Sequence, residues 1–252
     1  MCQLLGLNFN QSVRPSFSFR GFRHRAERNP HGWGIARYEG KAAQVFKEPV
    51  NAENSQLAEF IRDYKKFTSQ IIIGHVRYGN VGGVSLQNTH PFVRTFRKRE
   101  VVFAHNGTMN SGLFSDANLK FYRVGDTDSE HLFCSFLTSI SEDRISLSNF
   151  AAIEEKLREF NLGGNMNLIF SDSEHLFTYH DQTGYNGLWM TNRKSPFGRI
   201  ELRDEDWEVN LDIEKDPSQK GFIIATQPLT DETWIKCTPG KLNVFKLGEF
   251  VY

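Results

Sequence analysis

A cysteine at position 2 is the first residue of this sequence able to do covalent chemistry. Removing Met1 leaves its thiol and a free α-amine on one residue. An α-amine has a pKa of about 7.7–8.0 and a thiol about 8.5, so the amine, directly or through water, can take the thiol proton near neutral pH without a histidine partner. Equally, Cys2 reads as a small buried residue opening a strand. A thiol that attacks an amide needs donors for the developing oxyanion. Ala104-His105-Asn106-Gly107-Thr108 offers them: the Asn106 side-chain amide and the Gly107 N–H, one such donor being worth about 2.7–4 kcal/mol of transition-state stabilisation. As a bare dipeptide, Asn-Gly is also a common tight turn.

Two charged residues complete the constellation. Arg77 ends Gly74-His75-Val76-Arg77-Tyr78 and opens the glycine-rich run Gly79-Asn80-Val81-Gly82-Gly83. Its guanidinium can fork a carboxylate, and the glycines let the loop close over a small ligand; the same arginine can also pair with an acid at a sheet edge. Asp128 can complement a helix dipole, accept a substrate ammonium, or do both.

The elements that must hold these side chains are strands, helices, then strands again. Cys2 to Phe9 reads as a buried strand. Gly32 to Tyr38, the Glu39-Gly40 turn and Ala42 to Glu48 read as an antiparallel hairpin. Leu57, Phe60, Ile61 and Tyr64 mark an amphipathic helix by their i, i+3, i+4, i+7 spacing. Gln70 to Val76 and Val101 to Ala104 are strands running into polar sequence. Thr127-Asp128-Ser129-Glu130 fits a capping box, with Leu132, Phe133, Phe136, Leu137 and Ile140 as the buried stripe behind it. A helix near residues 151–160 and strands near 165–171, 176–180, 187–191, 222–226 and 242–247 follow. Residues 203–218, acidic and poor in apolar side chains, read as a surface excursion. The pattern predicts an α+β fold of stacked sheets with helices outside, in one domain spanning 1–252.

Composition narrows the function classes. Thirty basic and thirty acidic side chains cancel, so no global field draws the chain to nucleic acid or anionic lipid. Three well-separated cysteines, Cys2, Cys134 and Cys237, suit reduced thiols in the cytoplasm better than a disulfide framework. No apolar run approaches the roughly 18 residues of a membrane span. The eight histidines show no metal spacing and the glycine pairs lack a phosphate-loop pattern, so neither metal nor cofactor is expected. His90 and His105, beside the motif residues, read as histidines hydrogen-bonded within the structure, and Cys134 as inert packing.

Met1-Cys2, Gly32-Trp33-Gly34-Ile35, His75-Val76-Arg77-Tyr78, Asn88-Thr89-His90-Pro91-Phe92, His105-Asn106-Gly107, Thr127-Asp128-Ser129-Glu130 and Ala225-Thr226-Gln227-Pro228-Leu229-Thr230, in this order, resemble the glutaminase domain of class II glutamine amidotransferases, especially its stand-alone members. Each motif alone is weak; the ordered set covers nearly the whole chain. The resemblance implies an N-terminal nucleophile hydrolase fold, a four-layer αββα sandwich of two antiparallel sheets. It implies Cys2 as nucleophile with its α-amine as base, Asn106 and Gly107 as oxyanion hole, Arg77 for the substrate α-carboxylate and Asp128 for its α-ammonium. Attack would form a γ-glutamyl thioester, hydrolysed by water to glutamate.

The run Tyr78-Gly79-Asn80-Val81-Gly82 departs from the synthase-linked members, which usually carry an aromatic residue and Ala-Thr after the arginine. No synthase domain is expected after Tyr252. The expected substrate is therefore glutamine, its ammonia collected by a separate subunit, or a larger glutathione-like γ-glutamyl compound. Arg20, Arg23, Arg25 and Arg28 read as a solvated basic loop or as a site for a second carboxylate on such a compound. The rival reading is a non-catalytic module that senses γ-glutamyl ligands; it would need Arg77 and Asp128 but no processed N-terminal thiol.

Overall fold

Alternation of apolar side chains along the strands decides the layering. The computed structural model describes residues 2–110, 112, 116–203 and 207–252, and of Ser16 and Phe17 the backbone only. The chain runs β1 (Gln3–Val13), α1 (Ser16–His24), β2 (Trp33–Glu39), β3 (Ala42–Glu48), α2 (Gln56–Asp63), β4 (Ser69–Val76), β5 (Phe92–Phe96), β6 (Arg99–Met109), α3 (Asp128–Glu142) and α4 (Phe150–Asn161). It continues through β7 (Gly164–Ser171), β8 (Leu176–Tyr179), β9 (Trp189–Lys194), β10 (Arg199–Glu201), β11 (Glu208–Asn210), α5 (Leu211–Glu214), β12 (Lys220–Ala225), β13 (Ile235–Lys236), β14 (Leu242–Lys246) and β15 (Glu249–Phe250). One sheet has the order β13-β9-β12-β1-β4-β2-β3 and the other β15-β14-β8-β7-β6-β5, every pair antiparallel.

Successive residues of a strand point to opposite faces, so each sheet feeds two cores. Leu5, Leu7 and Ile72 pack outward with Phe19, Phe22 and Ile61 of α1 and α2. Their neighbours Leu4, Ile71 and Ile73 face inward and meet Val102, Ala104 and Ile169 of the second sheet. On that sheet's far side Phe103, Leu168 and Phe170 pack against Leu132, Phe133 and Phe136 of α3 and Leu157 of α4. The result is the expected αββα sandwich. Phenylalanine dominates the outer core beneath α3, where the Phe103 and Phe133 rings stack with centroids 4.6 Å apart. The two sheets approach closely at Gly6, where a Cβ would lie 3.2 Å from two Ile169 methyl carbons.

Four elements differ from their sequence readings. The supposed basic loop is α1 with a following 3-10 turn over Arg25–Arg28. Phe92–Phe96 is a strand, β5, that the polar residues Arg94 and Thr95 concealed. β6 does not stop at Ala104 but runs to Met109, paired throughout with β7, so Asn106-Gly107 is extended strand and no turn. The acidic excursion, whose residues 204–206 lie outside the described set, carries the short β11 and α5 and is largely exposed. The capping box at α3 is half formed. Thr127 Oγ1 accepts from Glu130 N at 3.1 Å, but the Glu130 carboxylate takes the Val124 and Gly125 N–H groups and pairs with Arg94 instead of returning to the cap.

Candidate active site

Register carries Cys2 to the other candidate residues. Gln3 pairs with Val76 across β1 and β4, so the residue before β1 sits beside the residues after β4. There Cys2 Sγ accepts a hydrogen bond from Tyr78 N at 3.1 Å and donates to Tyr78 O at 3.2 Å. Burial pushes the thiol pKa above its ordinary value, opposed by the Tyr78 backbone hydrogen bond and the Arg77 charge.

The second sheet supplies the facing wall. Asn106 Nδ2 donates to Cys2 O at 2.8 Å and approaches Thr226 Oγ1 at 3.4 Å, while Thr226 Oγ1 also accepts from Leu4 N at 2.9 Å. One residue on, Gly107 lies opposite Met166, where an added Cβ would come within 1.9 Å of Asn165 O and 2.6 Å of His105 Nε2; only glycine fits. Its N–H direction follows from strand alternation. Met109 N, two residues along, points away from β7 to the Asp128 Oδ2 at 2.7 Å, so the Gly107 N–H points to that same edge, which β5 leaves open beyond the Phe92 and Phe103 pair. Asp128, the first residue of α3, is buried at 5% exposure.

Cys2, Arg77, Asn106, Gly107 and Asp128 all line one cavity, together with Tyr78 and Tyr185. Its volume is about 30 Å³, room for a couple of waters, so an amino-acid-sized ligand enters only if part of the wall moves. The wall beside Arg77 is the glycine-rich run. Arg77 does not present an open fork here: Nη1 donates to His31 O at 3.4 Å and Gly83 O at 3.3 Å, and Nη2 to Val81 O at 3.0 Å and Gly82 O at 3.2 Å. An Arg77 that meets a carboxylate must first release some of these carbonyls. Gly79 is held down by its N–H donating to His31 Nδ1 at 3.0 Å.

Part of the cavity wall belongs to a histidine group that the sequence reading did not anticipate as a unit. His105 is fixed as expected, between Ser129 Oγ at 2.8 Å and Asn165 O at 3.0 Å, and its carbonyl meets His75 Nε2 at 3.1 Å. His90 departs from its expectation: it stacks on His75 with ring centroids 4.2 Å apart, and neither ring nitrogen has a hydrogen-bond partner among the described residues. Burial drives the His75 pKa down to about 3, that of His90 well below its ordinary value, and that of His105 downward. Asn186, whose Nδ2 lies 3.5 Å from Cys2 O, was also missed; Asn186-Gly187 carries no chemical signal in sequence.

These histidines make the fold acid-sensitive with a defined sign. A group whose folded pKa is depressed stays neutral in the folded chain while the unfolded chain takes up its proton. The associated stability is full above pH about 6.5 and, for His75, is lost as pH falls toward about 3, at up to about 1.4 kcal/mol per pH unit. His90→Phe, which keeps the ring contact with Phe92, is expected to flatten the dependence of urea-unfolding free energy on pH as pH falls below about 6.5. An unchanged slope would show that His90 does not titrate this way.

The family model for class II glutamine amidotransferases matches residues 1–252. The MJ1515 protein of Methanocaldococcus jannaschii is 43% identical over 255 residues, covering 100% of this chain and 71% of its own. YafJ of Escherichia coli K12, provisionally described as a glutamine amidotransferase, is 38% identical over 260 residues and 100% of both chains. Among solved structures, a predicted glutamine amidotransferase from Pseudomonas aeruginosa superposes with a TM-score of 0.72 and 30% identity over 100% of both chains. The glutamine phosphoribosylpyrophosphate amidotransferase of Bacillus subtilis superposes with a TM-score of 0.68 at 15% identity, over 99% of this chain and 48% of that one, a likeness of fold alone.

Proposed function

Because the chain belongs to the class II glutamine amidotransferases and has their N-terminal nucleophile hydrolase fold, we propose that it hydrolyses the γ-glutamyl amide bond of a small molecule with Cys2 as nucleophile. The observation that supports this most directly is the convergence of Cys2, Arg77, Asn106, Gly107 and Asp128 on one cavity. With Met1 removed, the Cys2 α-amine takes the thiol proton as Sγ adds to the γ-carbonyl carbon. The Tyr78 N–H, already 3.1 Å from Sγ, stabilises the thiolate that burial otherwise disfavours. The oxyanion is met by the Gly107 N–H and by Asn106 Nδ2, which turns from the Cys2 carbonyl. The C–N bond breaks, and the amine leaves with the proton that came from the thiol. Water then splits the C–S bond and releases glutamate. Asp128 takes the substrate ammonium through Oδ1, its Oδ2 being held by Met109 N, and Arg77 takes the carboxylate.

A γ-glutamyl-sensing module without turnover would use the same Arg77 and Asp128, and an ammonia-supplying subunit would use the same chemistry with a separate acceptor. Labelling separates turnover from sensing. Protein whose Met1 is confirmed absent is incubated with 6-diazo-5-oxo-L-norleucine, then weighed intact and mapped by peptide. A single adduct on Cys2 is the expected result. No adduct on a free N-terminal cysteine would favour the sensing module.

A further inference from the structure

Three cations converge on the outer face of the first sheet, at the end of β1 away from Cys2. Phe9 on β1 pairs with Gly221 on β12, and Gly221 with Arg193 on β9, so Phe9 and Arg193 share one row and one face of the sheet. That face is the outer one, because Leu7 and Phe9 pack with Phe19 and Phe22 of α1. Arg14 follows β1 directly, and Lys215 follows α5, whose Leu211 is buried. Leu7, Phe9 and Leu211 wall a cavity of about 20 Å³ that Arg14, Arg193 and Lys215 also line. Ser18 of α1, at 4% exposure, is the one hydroxyl residue of the lining.

The acids nearby are spent or exposed. Glu232 is forked by Arg193, through Nε at 2.9 Å and through Nη2. Asp63, whose carboxyl feels the Arg14 charge, is forked by Arg62. Glu214, the one acid in the lining, is exposed. Arg14 donates Nη2 to Arg62 O at 3.2 Å, and neither Arg14 nor Lys215 has an acid within ion-pair distance among the described residues. Arg193 Nη1 and Lys215 Nζ likewise donate to nothing among them. Burial first, then the Arg193 charge and more weakly that of Arg14, hold the Lys215 pKa below its ordinary value, with Glu214 opposing.

Counting Glu232 with the lining, three cations face two carboxylates, a net charge of +1 beside an apolar wall. An unpaired charge in such surroundings is costly, and one monovalent anion cancels it. Size narrows the ligand further. A volume of about 20 Å³ holds one body of about a water's size, too little for a phosphate or an amino acid but suited to a monatomic halide.

We propose that this cavity binds a single chloride ion, held by Arg14, Arg193 and Lys215 beside Ser18, and that the ion fastens α1 and α5 to the outer face of β1. The site is separate from the Cys2 cavity, with which it shares no lining residue, and it stands whether or not the chain hydrolyses a γ-glutamyl amide.

The test is thermal unfolding of the whole chain in about 0.1 M sodium chloride and in sodium gluconate of equal concentration, which screens charge equally but is too large for the cavity. Wild-type Tm is expected to be higher in chloride by about 3 °C or more. Lys215→Met, which removes the cation and keeps the side chain's length, is expected to abolish the difference and to be no less stable than wild type in gluconate. Equal wild-type Tm values in the two salts, or a difference that Lys215→Met keeps, overturn the site and leave the cavity to water. If the variant does not fold, wild-type crystals grown in sodium bromide decide. An anomalous peak among Arg14, Arg193 and Lys215 sustains the site, and its absence overturns it.

Discussion

Cys2→Ala is expected to lower release of glutamate from any γ-glutamyl substrate by roughly 10⁴-fold or more, to the background left by binding and oxyanion donors alone. On the proposed mechanism the magnitude follows from what is removed: without Sγ no thioester would form, and water would have no activated path to the amide. Folding should change little. The side chain is only partly buried, its two contacts are both to Tyr78, and the Tyr78 N–H can turn to solvent. If Arg77 and Asp128 hold the head group as proposed, the variant should still bind a γ-glutamyl ligand, measurable by calorimetry. Turnover within ten-fold of wild type would remove Cys2 from the mechanism, and loss of binding together with turnover would assign it a structural role.

How legible this site was depends on which property each residue needs. The near-continuous apolar runs Leu4-Leu5-Gly6-Leu7 and Ile71 to Ile73 announce strands with two buried faces, and the structure spends each face on a different core. Likewise Thr127 before the apolar stripe of α3 announces a helix start, and the cap bond is there. What a one-dimensional reading misses is partnership. Asn106-Gly107 has a turn's composition but lies in β6, because a neighbouring strand, β7, supplies the hydrogen bonds that the dipeptide alone would seek in a turn. Arg94 and Thr95 hide β5 because one sheet-edge strand need not be apolar on both faces. Arg77 offered a carboxylate fork in sequence, yet its donors hold the loop that follows it, a competition between ligand and backbone visible only once the loop has folded back. The His90 ring nitrogens, without a hydrogen-bond partner among the described residues, are likewise a property of surroundings, not of residue type.

Asn106→Ala is expected to lower kcat by about 10²–10³-fold, equivalent to about 2.7–4 kcal/mol, with a much smaller change in KM. The prediction has a structural competitor. In the resting site Nδ2 holds the Cys2 carbonyl at 2.8 Å, so its loss could act by loosening the nucleophile instead of by abandoning an oxyanion. The two causes separate on an electrophile that develops no oxyanion. Alkylation of Cys2 by iodoacetamide needs the thiolate and its position but no donor to a tetrahedral oxygen. If Asn106 stabilises the oxyanion, the variant loses amide hydrolysis while its alkylation rate stays within about two-fold of wild type. If Asn106 only tethers the segment before β1, both reactions slow together, and a stability loss of about 1–3 kcal/mol from the unpaired Cys2 carbonyl accompanies them in urea unfolding.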